Sequence, residues 1–251
     1  MYLFVPLFIS TAAGFSTLIG ALPIFIRIHK NNINKFITVC LSFSGVIMIG
    51  ISIFDLIPMS YFNIINKFSL IKGTFIASFL FIVGGLLITF LGVKIDKINT
   101  KKGNLYKLGL LNMLALMFHN LPEGMATFLS SYADISLGIK LSIAIMLHNI
   151  PEGISIAIPI YYSTNNRLTA LKHTFLSGIA EPLGALLAFI FFKDFINKLI
   201  ISFILIIVAG IMIFLSINKI FQETLKYNEN KYIKYGLLFG IVFILISFLI
   251  G

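Results

Sequence analysis

Apolar blocks long enough to cross a lipid bilayer follow one another along this chain, separated by short breaks that hold most of its charge. A helix needs about 20 residues to traverse some 30 Å of hydrocarbon, and that requirement settles the fold class before any motif is read. Hydrophobic residues are 59% and charged residues 11% of the 251, against about a quarter charged in a soluble domain. Secreted, cytosolic and disordered classes are thereby excluded. The blocks fall at approximately 2–26, 36–61, 73–93, 107–131, 136–161, 168–192, 199–218 and 233–250, which predicts an all-α integral membrane protein of eight transmembrane helices. A closed barrel, the other way to satisfy every backbone group in lipid, needs short alternating segments that are not visible. The first block holds Pro6 and Gly14 within a stretch too long for a signal-peptide core, so it is kept as a span. No break has the length or composition of a folded domain, so 1–251 reads as a single membrane unit.

Orientation follows from the basic residues, because loops rich in Lys and Arg stay on the cytoplasmic side. The first, third, fifth and seventh breaks hold fourteen of the nineteen, among them Arg27, Lys94, Arg167 and Lys219, and the alternate breaks hold five: Lys67, Lys72, Lys140, Lys193 and Lys198. The split places odd breaks inside and both termini outside. A net charge of +10 distributed this way faces an anionic leaflet, not nucleic acid. The lone cysteine, Cys40, has no partner for an internal disulfide and apolar neighbours, and reads as packing.

Nine carboxylates are present, and Asp96, Asp134, Asp194, Glu223 and Glu229 lie in breaks where water solvates them. Asp55, Glu123, Glu152 and Glu181 instead fall in the interiors of apolar blocks whose few lysines, Lys107, Lys140 and Lys172, lie near the block ends and leave no Lys or Arg beside them in sequence. An ionised group there costs several kcal/mol unless it is protonated, paired or bound to a cation. Two of the four sit in a repeat: His119-Asn120-Leu121-Pro122-Glu123-Gly124 and His148-Asn149-Ile150-Pro151-Glu152-Gly153.

On a helix, residues four apart stack on one face, so each copy presents a histidine and a glutamate together. Asn120 and Asn149, about 100° round, can offer carbonyl oxygens to an adjacent position. Pro122 and Pro151 each remove a backbone donor, which predicts a disrupted helix with the carbonyls of Phe118 and Leu147 left over. Counted from opposite faces, His119 and His148 lie roughly 18–20 Å deep at 1.5 Å per residue, so antiparallel neighbours bring both copies near the midplane. Membrane carriers place their substrate sites at that depth.

Glu181, in Ala180-Glu181-Pro182-Leu183-Gly184, repeats the Glu, Pro, Gly theme and is a further candidate ligand. Asp55 is a candidate on the way in and His173 on the way out, each against the simpler reading of an interfacial group. Asn112, Ser177 and Met125 carry no reading beyond packing or solvation. Imidazole plus carboxylate suits Zn2+, Fe2+, Mn2+ or Co2+ better than Cu(I) or Mg2+. Two histidines and two glutamates can form a tetrahedral zinc shell.

The paired motif, the run Gly178-Ile179-Ala180-Glu181-Pro182-Leu183-Gly184 and eight spans with outside termini together resemble the ZIP family of divalent metal transporters, nearest in pattern to its bacterial ZupT branch. The resemblance implies a 3+2+3 inverted-repeat arrangement with helices 4 and 5 central. It implies metal uptake across the bacterial cytoplasmic membrane, with the ion as cargo and no resident cofactor. It further implies a binuclear centre: one metal at His119, Glu123, His148 and Glu152, and a second at Asn120, Asn149 and Glu181 with glutamates shared. The partners implied are divalent ions and the bilayer, and a homodimer is compatible with the pattern. Break 94–106 departs from family members that carry a histidine-rich loop there, because it holds no histidine. A passive metal channel is the alternative from the residues themselves. An intramembrane metalloenzyme is disfavoured because neither motif has the His-Glu-x-x-His order, so the chain reads as not an enzyme.

Overall fold

A computed structural model describes residues 4–100, 102–191 and 198–250. Lys101, Lys193 and Asp194, which enter the charge argument, lie outside the described residues. All regular structure among the described residues is helical. In chain order the α-helices are α1 Phe4–Ile19, α2 Ile33–Ile51, α3 Ile57–Phe68, α4 Leu70–Asp96, α5 Gly103–Ala133, α6 Ile135–Thr164, α7 Arg167–Gly178, α8 Ala180–Phe191, α9 Lys198–Leu215, α10 Phe221–Leu225 and α11 Asn230–Ile250. Several of these join into longer rods, and among the described residues seven stretches are long and apolar enough to cross a membrane. The fourth apolar block folds as α5, whose 31 residues exceed the required length. It is not among the seven because Asn112, His119, Asn120 and Glu123 dilute its apolar character. The rods overrun the predicted blocks at several ends, since helical hydrogen bonding does not stop where lipid does.

Two π-helical turns, Ser52–Leu56 and Ser216–Ile220, join α2 to α3 and α9 to α10. Their sequences correspond: Ser52-Ile53-Phe54-Asp55-Leu56 and Ser216-Ile217-Asn218-Lys219-Ile220. Each follows a helix of similar length, 19 residues for α2 and 18 for α9, and each π-turn packs against the other's preceding helix. Such turns bulge a helix by one residue and are frequent at functional positions. Asp55 therefore lies on a bulge within a rod that continues to Phe68, not at the end of its helix.

Helices α5 and α6 pack on each other at the centre, with α1, α7 and α8 around them. A second group pairs α4 with α9, α11 with α2, and α3 with both α4 and α9. Small residues permit the closest crossings, as expected where lipid competes with protein for apolar surface. Gly124 faces the carbonyl of Glu181 while Gly184 faces that of Leu121, so α5 and α8 meet backbone to backbone. The α1–α6 crossing is built the same way, with Gly20 against the Ile150 carbonyl and Gly153 against that of Thr17. The prolines do not break their helices: α5 runs through Pro122, and α6 through Pro151 and Pro159. A carbonyl orphaned by proline can be supplied from a neighbour. That of Ser155, one turn before Pro159, accepts from Asn112 Nδ2 at 2.7 Å. Asn112 thus repairs a helix, a role its position alone did not suggest.

Replacing Gly124 with Ala places a Cβ against the Glu181 backbone and should cost about 1–3 kcal/mol by overpacking. The readout is thermal unfolding of the detergent-purified protein, with the exposed Leu87→Ala as control. Equal melting temperatures for the two variants would contradict the close crossing.

Candidate metal centre

Successive turns of α5 carry His119 and Glu123, and successive turns of α6 carry His148 and Glu152, so two antiparallel helices each deliver one nitrogen and one carboxylate face. Within α5, His119 Nε2 lies 3.2 Å from Glu123 Oε1. Between the helices, His148 Nε2 lies 2.8 Å from Glu123 Oε1 and His119 Nε2 lies 3.3 Å from Glu152 Oε1. The rings are tilted with centroids 6.3 Å apart. One donor atom each from His119, Glu123 and His148 falls within 4.8 Å of the other two. Tetrahedral zinc with ligands at about 2.0–2.2 Å holds its donors about 3.3–3.6 Å apart, close to these separations.

The three glutamates are buried, and none pairs with a lysine or arginine among the described residues. Their oxygens are also poorly satisfied as hydrogen-bond acceptors. Both oxygens of Glu152, Oε2 of Glu123, Oε2 of Glu181 and both nitrogens of His119 are buried without an aligned partner. His119 is near two carboxylates in distance but not in hydrogen-bond direction. Buried polar groups are normally paired, so donors that crowd together without bonding fit a cation coordinated by all of them. Glu123 and His148 keep a few per cent exposure, whereas His119 and Glu152 keep none.

The asparagines sit on the adjoining side. Asn149 Nδ2 donates to Glu181 Oε1 and, at 2.9 Å, to the Ala13 carbonyl of α1. Asn120 Nδ2 donates to the Ser177 carbonyl of α7 at 3.3 Å. These bonds turn the amides so that both Oδ1 atoms remain without partners, as does Glu181 Oε2. The fold thus brings Asn120, Asn149 and Glu181 to the flank of the histidine cluster. Asp55 is exposed on its π-turn and within electrostatic range of His148, Glu123 and His119. His173 is not brought in. Its Nδ1 lies 2.7 Å from the Thr169 carbonyl and its ring meets Tyr106 edge-on at 6.0 Å. It precedes Glu181 by eight residues, about 12 Å of helix.

Helix α1 is the part of the site that motif reading passes over. Ser10, Ala13, Gly14 and Thr17, all buried, occupy one helical face. That face supplies the Ala13 carbonyl to Asn149 and the Ser10 hydroxyl to the Glu181 carbonyl at 3.4 Å. A run of small residues at i, i+3, i+4, i+7 was its available signal. From α2, Ser44 Oγ donates to the Pro151 carbonyl at 2.7 Å and anchors the second motif.

A helical membrane bundle with nitrogen and carboxylate donors converging inside it has the form of a carrier for a small cation. A profile described as ZIP Zinc transporter matches residues 92–248. The chain is 34% identical over 261 residues to the zinc transporter ZupT of Streptococcus mutans serotype c, covering 99% of this chain and 98% of that protein. It is 36% identical over 255 residues to ZupT of Oceanobacillus iheyensis, with 95% and 94% covered. With ZupT of Chlorobium limicola the identity is 34% over 252 residues and 94% of each chain. The chain belongs to the ZIP zinc transporter family: it is a multi-pass membrane transporter and not an enzyme.

Asn149→Ala should destabilise the protein by about 1–3 kcal/mol, because it strips the donor from a buried carboxylate and from the Ala13 carbonyl. Ser44→Ala removes one neutral hydrogen bond and should cost about 1 kcal/mol. Unfolding of both purified variants checks the order, and an unchanged Asn149→Ala would contradict the assigned contacts.

Proposed function

We propose that this protein takes up divalent transition metals, zinc foremost and Fe2+, Mn2+ or Co2+ as alternatives, across the bacterial cytoplasmic membrane. One observation carries the reading: donor atoms of His119, Glu123 and His148 converge within 4.8 Å in the buried centre of the bundle. Two glutamates and two histidines there supply charge and softness suited to such an ion. The primary metal position is His119, Glu123, His148 and Glu152. A second uses Asn120 Oδ1, Asn149 Oδ1 and Glu181, sharing glutamates with the first. The zinc transporters that the chain resembles support zinc as the first cargo to test.

The whole of 1–251 is proposed as the working unit, with eight spans, α5 included, and both termini outside. The corresponding π-turns, crossed over each other's helices, support the 3+2+3 inverted repeat about α5 and α6. On this orientation Asp55 lies toward the outer side, and its electrostatic partners Glu123 and His148 are the cluster's slightly exposed members. A hydrated cation passes Asp55, sheds water to the midplane ligands and leaves inward when the flanking helices rock, an alternating-access cycle. His173, nearer the basic end of the bundle, is kept as a ligand on the way out. All these ligands come from one chain, so a homodimer is compatible with the scheme but not required by it. A passive channel through the same site is the rival mechanism. Saturable flux without unitary conductance in proteoliposomes favours the carrier.

His119→Ala or Glu152→Ala should abolish radioactive zinc accumulation in cells while membrane expression stays normal. Undiminished accumulation in either variant would overturn the site. Metal binds neutral imidazole and ionised carboxylate, so binding releases protons. Uptake should therefore weaken as external pH falls through the ordinary imidazole range. A pH-independent zinc affinity of the purified protein would contradict histidine ligation. Orientation is checked in a Cys40→Ser background. Ser69→Cys should react with an impermeant maleimide on intact cells, and Thr100→Cys only after permeabilisation.

A further inference from the structure

The chain has only two arginines, Arg27 and Arg167, against seventeen lysines. They are 140 residues apart in sequence, yet both line one cavity of about 550 Å3. Among the described residues no carboxylate lines that cavity, and the described ion pairs of lysines with Asp96 and Glu223 involve neither arginine. Arg167 lies over the Phe25 ring at 5.1 Å, which leaves the edge of its guanidinium available. Tyr161, Tyr162, Tyr227, Asn34 and Asn165 add neutral hydrogen-bonding groups to the wall. Burial and nearby Glu223 push the Tyr227 phenol up to about 12, so it remains a donor. Glu223 itself is held by Lys226 at 2.5 Å. Along another side run Ile26, Ile28 and Ile33.

We infer that this cavity binds the phosphate-bearing headgroup of an anionic phospholipid. Two guanidinium forks without a carboxylate call for an oxyanion, and Arg is the side chain whose planar donors match phosphate bidentately. Topology does not explain the pair, since lysines supply the rest of the basic charge at that end of the bundle. A divalent cation is repelled there, so the cavity is distinct from the metal's path. Free phosphate shares the oxyanion chemistry. The isoleucine wall and the exposed Leu22, Phe25 and Ile26 beside it favour a ligand that continues into hydrocarbon. The cavity draws on α5, α6 and α7 from the central group, and on α2 and the α10–α11 connection from the other. A bound headgroup therefore touches both groups of helices. The inference stands apart from the metal centre and needs only a membrane-embedded chain.

Native mass spectrometry of the full-length protein from phosphatidylcholine nanodiscs doped with phosphatidylglycerol tests it. Wild type should retain phosphatidylglycerol, and Arg27→Gln/Arg167→Gln should bind it at least about tenfold more weakly, since a single lost charged hydrogen bond is already worth that factor. Lys30→Gln/Lys231→Gln, with the same charge change at the same end, should retain the lipid. Equal retention by the two double variants overturns the proposal. If the Gln pair fails to fold, Arg27→Lys/Arg167→Lys decides: charge without the fork should lower retention, and full retention refutes specific recognition. Inorganic phosphate is the competing arm. If it protects the wild type from unfolding as well as phosphatidylglycerol does, the ligand is a free anion and the lipid assignment falls.

Discussion

Three glutamates in the low-dielectric middle of a helical bundle, with no lysine or arginine paired to them among the described residues, set the terms for the rest of this structure. Ionised carboxylates buried this way are expensive unless something positive reaches them. The fold responds with histidines at 2.8–3.3 Å and with asparagine amides, but it leaves several oxygens and nitrogens without aligned partners. On the function proposed above, a small doubly charged cargo completes the electrostatics. Mixed nitrogen and oxygen ligation would hold such an ion without the grip of a thiolate cage, and a carrier has to let go.

The need for close convergence explains the packing around the site. Asn149 reaches the Ala13 carbonyl and Glu181 together only because α1, α6 and α8 approach closely. Reciprocal glycines at the α5–α8 and α1–α6 crossings allow that approach. In lipid the gain from such crossings is van der Waals contact and interhelical hydrogen bonds, since apolar burial itself offers little. Site and scaffold are therefore the same contacts: the residues that bring helices together also aim the ligands.

Proline has an unexpected part. The chain places three prolines within α5 and α6, and none interrupts its helix. Where a carbonyl loses its donor, as Ser155 does to Pro159, a side chain from the facing helix replaces it. That replacement ties α5 to α6 by a hydrogen bond rather than by apolar contact. Of the two π-turns in the outer group, one sets Asp55 within electrostatic range of the histidine and glutamate cluster.

A helical membrane protein and a set of candidate ligands were legible in the residues alone, because both follow from local quantities. Block length against bilayer thickness gives spans, and i, i+4 spacing gives His119 with Glu123 and His148 with Glu152. A carboxylate among apolar residues announces its own cost wherever the chain goes. Which of the candidates would meet was a matter of three dimensions. Helix crossings set by glycine contacts put Asn120, Asn149 and Glu181 beside the histidines, drew a motif-free face of α1 into the site and left His173 with Thr169 and Tyr106. Only the tertiary structure could bring Arg27 and Arg167 into one cavity, because their approach depends on where helix ends converge and not on any repeat within the chain.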